Sequence, residues 1–285
     1  MMYLEHLQVL DKEILASLCA NTRLSSHPDL GNHQDDILQA YEDYVAAAGA
    51  APASHPMLPA SLVEAMKLHY SQPPERSTLE GLINFIRYRL SPGVCPTCGA
   101  ESAATVDHVY PKSPWPVYSF FSLNLVPACE QCNRKKSSRY YGDNPEARPA
   151  HPYFDRFLQN RVVMAQFTGH YATPAIEIVP TPQVTPAQLP VVNWHLENVI
   201  RKTQIRSMLT DRWISACRDP ATHYEGLKFP GVTVAQAVQA KLDYFDSVRH
   251  TPNNWESILH AGVLNDVGAQ QYLAHCLANP QENPR

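Results

Sequence analysis

The sequence predicts a mainly α protein with a small α+β core. Three observations carry that expectation. Apolar residues recur at helical spacing through the first and last thirds of the chain, and a central stretch replaces that period with short strand-like runs and paired cysteines. The 25 prolines against 11 glycines add many stiff connections. With 285 residues, 44% hydrophobic and 18% charged, the chain can bury a sizeable core and has the composition of a globular protein rather than a disordered one.

Taken in order, Leu4, Leu7, Ile14 and Leu18, then Ile37, Tyr41 and Val45, place helices in the N-terminal third. The stretch AGAAPASHPMLPA (48–60) is too rich in Pro and Ala to be anything but a connection. Leu62, Met66 and Tyr70 mark a short helix. Leu79, Leu82, Ile83, Ile86 and Leu90 mark a stronger one, capped by Ser77 or Thr78 and ended by Pro92 and Gly93. Residues 1–92 thus form an N-terminal helical region. Residues 93–141 change character, with a strand around Thr105 to Val109, a Pro-rich loop through Trp115 and Pro116, a strand at Leu125 to Ala128 and a short basic helix. Residues 142–190 read as a loop-rich connector with strand segments at Val162 to Phe167 and Ile176 to Val179. Helical spacing returns over 191–285 in Leu196, Ile200, Met208 and Trp213, then in Val234, Val238, Leu242 and Phe245 with Thr233 as cap. A last apolar helix around Ile258 to Cys276 precedes a polar tail.

The start of the chain carries Glu5, Asp11 and Glu13 where a signal peptide is basic then apolar, and no run approaches the roughly 18 apolar residues of a membrane span. A cytoplasmic protein without membrane contact is expected. Thiols stay reduced there, so the seven cysteines are not read as a disulfide framework. Cys95 with Cys98 and Cys129 with Cys132 form two Cys-x-x-Cys turns, whereas Cys19, Cys217 and Cys276 stand alone in apolar surroundings as core filling. A net charge of −4 excludes a protein that coats nucleic acid over its whole surface. The charge is uneven, however. Residues 1–50 hold eight acids against Lys12 and Arg23, while Arg134, Lys135, Lys136 and Arg139 form a run without an acid, the kind of local patch a phosphate backbone requires.

The informative segment is CPTCGAESAATVDHVYPKSPWPVYSFFSLNLVPACEQCNRKKSS (95–138). Two Cys-x-x-Cys turns about 30 residues apart supply four thiolates in two preorganised pairs, which suits a closed tetrahedral Zn2+. A unit this small has little core, and a metal tie between its ends replaces burial it cannot supply. Between the turns stand Asp107-His108-x-x-Pro111-x-Ser113, then Asn124-Leu-Val-Pro, then Cys-x-x-Cys-Asn133-x-x-Lys136. This order resembles the HNH endonuclease family, the ββα-metal fold, over about one sixth of the chain. The fold class this implies is an HNH ββα-metal unit (93–141) flanked by the two helical regions.

Carried over by position, the resemblance implies that His108 is the general base, that Asp107 and Asn133 hold the catalytic metal, and that Asn124 organises the base. Asn133 stands where the eponymous pattern has histidine, as in the His-Asn-Asn versions of the family. A carboxylate with a carboxamide offers hard oxygen donors, which favour Mg2+ or Mn2+. His108 would take a proton from water near neutral pH, and the cation would stabilise the leaving oxygen. Lys112, Arg134, Lys135, Lys136 and Arg139 are expected to grip the backbone near the cut. The implied function is a metal-dependent endonuclease acting on double-stranded DNA. From resemblance, it is the effector of a bacterial anti-phage defence system with a partner such as an ATPase. The competing expectation is a zinc-dependent nucleic-acid-binding module without catalysis, in which the Asp-His pair is incidental.

Overall fold

The fold is described from a computed structural model over residues 1–50, 55–90, 93–101, 103–136, 140 and 146–284. Five helices precede the central unit: α1 (Asp11–Cys19), α2 (Asp29–Asn32), α3 (Gln34–Ala46), α4 (Ala60–Ser71) and α5 (Thr78–Tyr88). Strand β1 (Thr105–His108) pairs antiparallel with β2 (Leu125–Ala128), with Asp107 opposite Val126 and His108 opposite Leu125, and α6 (Glu130–Lys136) follows at once. A second antiparallel hairpin, β3 (Val163–Thr168) and β4 (Ala175–Pro180), leads into the C-terminal helices. These are α7 (Leu189–Asn198), α8 (Ile205–Arg218), α9 (Pro220–His223), α10 (Val234–Arg249), α11 (Trp255–Asn265) and α12 (Val267–Ala278). The chain is mainly helical with two small two-stranded sheets.

Two buried clusters organise these elements. One joins α1, α3, α4 and α5 to the β1–β2 hairpin and its loop, through Leu15, Ile37, Met66, Ile86, Tyr118 and Leu125. The other joins the cysteines to β3, β4 and the C-terminal helices, through Cys95, Cys132, Ile178, Trp213 and Leu259. The central unit is therefore wedged between the two helical regions, its hairpin in one core and its cysteines in the other.

Local chemistry explains most element ends. Ser77 accepts from Glu80 N at 3.1 Å to start α5, and Thr233 with Gln236 forms a capping box on α10. Two expectations change. Residues 1–10 are not helical: Met2 N donates to Pro96 O and Leu4 N to Pro152 O, both at 2.8 Å, so tertiary hydrogen bonds override the helical spacing of Leu4 and Leu7. The expected single helix from Ile258 to Cys276 is two, because the Asp266 side chain accepts from Ala269 N at 3.0 Å and starts α12 afresh. Pro92, expected to end α5, lies outside the described residues, and α5 stops at Tyr88. Among the described residues no helix is long and apolar enough to cross a membrane.

Candidate active site

The hairpin brings Asp107 and His108 to the end of β1, each only 6% exposed. Asp107 Oδ1 accepts from the His108 amide at 2.8 Å. Among the described residues its Oδ2 has no hydrogen-bond partner. Lys136 Nζ stands 3.3 Å from that oxygen, near enough to balance charge but off the direction of a hydrogen bond, and gives its bond instead to the His108 carbonyl at 2.6 Å. Burial raises the Asp107 pKa, opposed by the Lys136 charge and the His108 amide. The sequence placed Lys136 on a phosphate backbone. The structure corrects this: Asn133 and Lys136 lie three apart on α6, hence on one face, and that face packs on β1. Asn133 Nδ2 donates to Val106 O at 3.2 Å and to Thr105 Oγ1 at 3.3 Å, while the Lys136 ammonium is drawn into the interior by Asp107.

The imidazole of His108 is held from the other side. Its Nε2 donates to Ser119 O at 2.8 Å, which leaves the lone pair on Nδ1, and its ring meets the Tyr70 ring edge-on with centroids 4.2 Å apart. Burial, with Lys112 and Lys136 adding to it against the Ser119 carbonyl, pushes its pKa down to about 3. The imidazole is accordingly neutral at pH 7. Tyr70 comes from α4, and its hydroxyl donates to Val106 O at 2.8 Å.

Asn124 touches neither Asp107 nor His108 by a hydrogen bond. Fully buried, it donates from Nδ2 to Tyr110 O and Tyr118 O at 3.0 and 3.1 Å and accepts at Oδ1 from Tyr110 N and the Tyr44 hydroxyl at 2.8 and 2.9 Å. It ties down the loop whose next residue, Ser119, holds the imidazole. Tyr44 in turn meets His151 Nε2 at 2.9 Å, and the His151 amide donates to Asp155, itself bridged twice by Arg148 at 2.8 Å. His151 and Asp155 are loop residues. Tyr44 and Tyr70 were missed as site residues because a tyrosine in a helical apolar period carries no signal beyond core. Trp115 and Tyr118 cover the core, 7% and 0% exposed. Arg134 and Lys135 are exposed on α6, Lys112 is half-buried with its ammonium 4.6 Å above the Tyr70 ring, and Arg139 lies outside the described residues. In the C-terminal region Arg201, Arg206 and Arg212 are paired with Glu197, Glu177 and Glu256.

At the opposite end, the Sγ atoms of Cys95, Cys98, Cys129 and Cys132 all lie within 4.8 Å of one another. Zn–S bonds of about 2.3 Å give a tetrahedron with sulfur–sulfur edges of about 3.8 Å. Cys98 and Cys129 stand 3.8 Å apart, far beyond a disulfide. Backbone amides of Ala100, Cys129 and Cys132 point at the sulfurs of Cys98, Cys95 and Cys129 at 3.2–3.4 Å. The donor set is compatible with a zinc site. The first turn is anchored on α11: Trp255 Nε1 donates to Cys98 O at 2.8 Å, and Trp255 N to Gly99 O at 3.2 Å.

Residues 95–139 match the family model described as HNH endonuclease. This segment is an HNH domain. A curated relative, Protein ea31 of Escherichia phage lambda, is 32% identical over 78 residues, which cover 26% of this chain and 26% of that protein. The chain thus matches about a quarter of that relative's length. No solved structure matches the chain. The HNH domain supports a nuclease-type function and implies nucleic-acid binding. The rest of the chain lies outside the matched family segment.

Proposed function

We propose that this protein is a metal-dependent endonuclease that hydrolyses phosphodiester bonds, with double-stranded DNA as its substrate. One observation carries the reading: the HNH segment holds a buried carboxylate oxygen without a hydrogen-bond partner, Asp107 Oδ2, on the residue next to a neutral imidazole. A buried carboxylate oxygen without a hydrogen bond is costly unless a cation completes it, and the Lys136 ammonium 3.3 Å away supports the reading that positive charge belongs there. The site therefore fits Mg2+ or Mn2+ held by Asp107 and by Asn133, whose hydrogen bonds among the described residues use its amide nitrogen and not its oxygen. When bound, that ion supplies Lewis-acid stabilisation of the charge building on the leaving oxygen.

The chain's own groups do the rest. The Ser119 carbonyl fixes the His108 tautomer, so Nδ1 is the atom that takes the proton of the attacking water. An anionic phosphate nearby raises the imidazole pKa from its depressed value toward the working range. Asn124 and Tyr44 act as positioning residues through the loop that carries Ser119. Lys112, Arg134 and Lys135 hold the backbone. Lys136 balances Asp107. The four cysteines hold Zn2+ as a structural tie. The anti-phage role and an ATPase partner rest on family resemblance, and co-purification from the native host tests them.

Purified zinc-loaded protein incubated with supercoiled plasmid and Mg2+ or Mn2+ is expected to nick or linearise it. Chelator, His108→Ala and Asn133→Ala are each expected to stop cutting. Silence with every ion would replace this reading with the non-catalytic binding module, and undiminished cutting by His108→Ala would remove His108 as the general base.

A further inference from the structure

An open cleft of about 590 Å3 lies beside the hairpin, lined by Ser25, Ser61, Glu64, Lys67, Ser71 and Lys112. All but Lys112 come from α4 and the loop before α2, outside the HNH segment. The cleft adjoins the candidate site through a single side chain. Lys112 Nζ lies 4.6 Å above the Tyr70 ring, the same ring meets the His108 imidazole at 4.2 Å, and the Tyr70 hydroxyl ties α4 to β1.

The lining is chemically one-sided. Beside Ala65 and Leu68, the hydroxyls of Ser25 and Ser61 and two ammonium groups offer donors against one carboxylate, the Ser71 hydroxyl being turned back onto the Lys67 and Leu68 carbonyls. That carboxylate, Glu64, pairs with Lys67 at 2.8 Å but is 74% exposed, and such a surface pair is worth about 0–1 kcal/mol, so it yields readily to a better anion. Lys112 has no carboxylate within ion-pair distance among the described residues. Its pKa is lowered by burial and then by the charge of Lys67, so the two ammoniums share one space and repel each other. A cation fits such a lining poorly. An oxyanion relieves the repulsion and accepts from the hydroxyls.

We infer that this cleft is a phosphate-backbone subsite, in which α4 and the Ser25 loop hold the nucleic-acid strand as it leaves the scissile phosphate past Lys112. The contact positions the strand without reading its sequence, because lysines and serines on phosphates carry no base information. The N-terminal helices are thereby part of the substrate surface as well as the support of the hairpin. The inference rests on the nuclease reading.

The test uses zinc-loaded full-length His108→Ala protein, which is expected not to cut, and a fluorescein-labelled DNA duplex whose anisotropy is followed across a range of NaCl. Adding Lys67→Glu is expected to weaken binding about tenfold and to flatten the slope of log K against log salt by about 1, with Lys67→Gln between the two. Glu64→Gln is expected to tighten binding. Arg206→Glu, on the exposed face of α8 and paired with Glu177, is expected to change neither. Thermal melts confirm that each variant is folded. If the His108→Ala parent binds the duplex while Lys67→Glu leaves affinity and salt slope unchanged, the subsite is refuted and the nuclease reading stands. If the parent fails to bind, both fall.

Discussion

The two ends of the HNH domain are held by different physics. At the cysteine end, Cys95, Cys98 and Cys132 are fully buried, four sulfurs converge, and the surrounding carbonyls are claimed by Trp255 and by His195, which donates to Thr97 O at 2.7 Å. Among the described residues, no side chain of 95–101 or 128–132 leaves a buried nitrogen or oxygen without a hydrogen-bond partner. At the Asp-His end, one buried carboxylate oxygen has no hydrogen bond among the described residues, one lysine is buried to balance its charge, and a neutral imidazole hangs on a loop carbonyl. The first end is built to be stable without moving. The second retains unmet electrostatic demand, as functional sites do. The β1–β2 hairpin, with four residues per strand, joins the two ends.

Removing zinc should produce the largest effect. Four thiolates on Zn2+ contribute on the order of 10 kcal/mol, so a chelator or Cys98→Ser should abolish cooperative unfolding of the cysteine end. Hydrogen exchange resolves the contrast: amides around Cys95–Gly99, Ala128–Cys132 and the start of α11 should lose protection far more than those of α3 and α4. Equal loss in both halves would show the two ends to be one cooperative unit.

Lys136→Met should rank next. It strands Asp107 as a buried, unpaired acid at a cost of about 3–5 kcal/mol, read as a lowered denaturation midpoint. Millimolar Mn2+ should restore more of that loss than it adds to the wild type, because a cation can replace the ammonium. No differential rescue would mean that Asp107 is not where the ion binds.

A smaller effect is expected from Gly99→Ala. A Cβ there would lie 2.2 Å from the Asn253 carbonyl oxygen, on a backbone with φ of +84°, so the turn must shift against α11. About 1–3 kcal/mol should be lost, again read in denaturation, with zinc still bound at one ion per chain by elemental analysis.

The pH response is the mildest. Burial lowers His195 and His260 to about 4, and both sit in the C-terminal core. A histidine kept neutral in the folded state contributes stability that is fully present above its unfolded value near 6.5 and is lost as pH falls from there toward 4. Each should cost up to about 1.4 kcal/mol per pH unit in that window, and His260→Phe should remove one proton from the slope of the denaturation midpoint against pH. An unchanged slope would contradict its burial as a neutral group.

Much of this was legible in the residues. The strands at Thr105 and Leu125, the β3 and β4 segments, the Ser77 and Thr233 caps and the paired cysteines follow from local chemistry, which needs only neighbours in sequence. What could not be read is long-range. Tyr44 reaches Asn124 across 80 positions, Tyr70 reaches Val106 across 36, and residues 1–4 are pinned by Pro96 and Pro152. Lys136 is the instructive case, since its basic neighbours Arg134 and Lys135 suggested an exposed run. One residue along α6, about 100° of rotation, separates the exposed Lys135 from Lys136, which balances the buried Asp107.

The central claim is that a hard cation belongs on Asp107, apart from the zinc held by the thiols. Crystals of the zinc-loaded protein soaked in MnCl2, with anomalous data collected across the manganese and zinc edges, test it directly. A zinc peak is expected among the four sulfurs and a separate manganese peak against Asp107 Oδ2 and Asn133, with the Lys136 ammonium displaced. Manganese bound elsewhere, with Lys136 still on Asp107 in protein that cuts DNA, would contradict it.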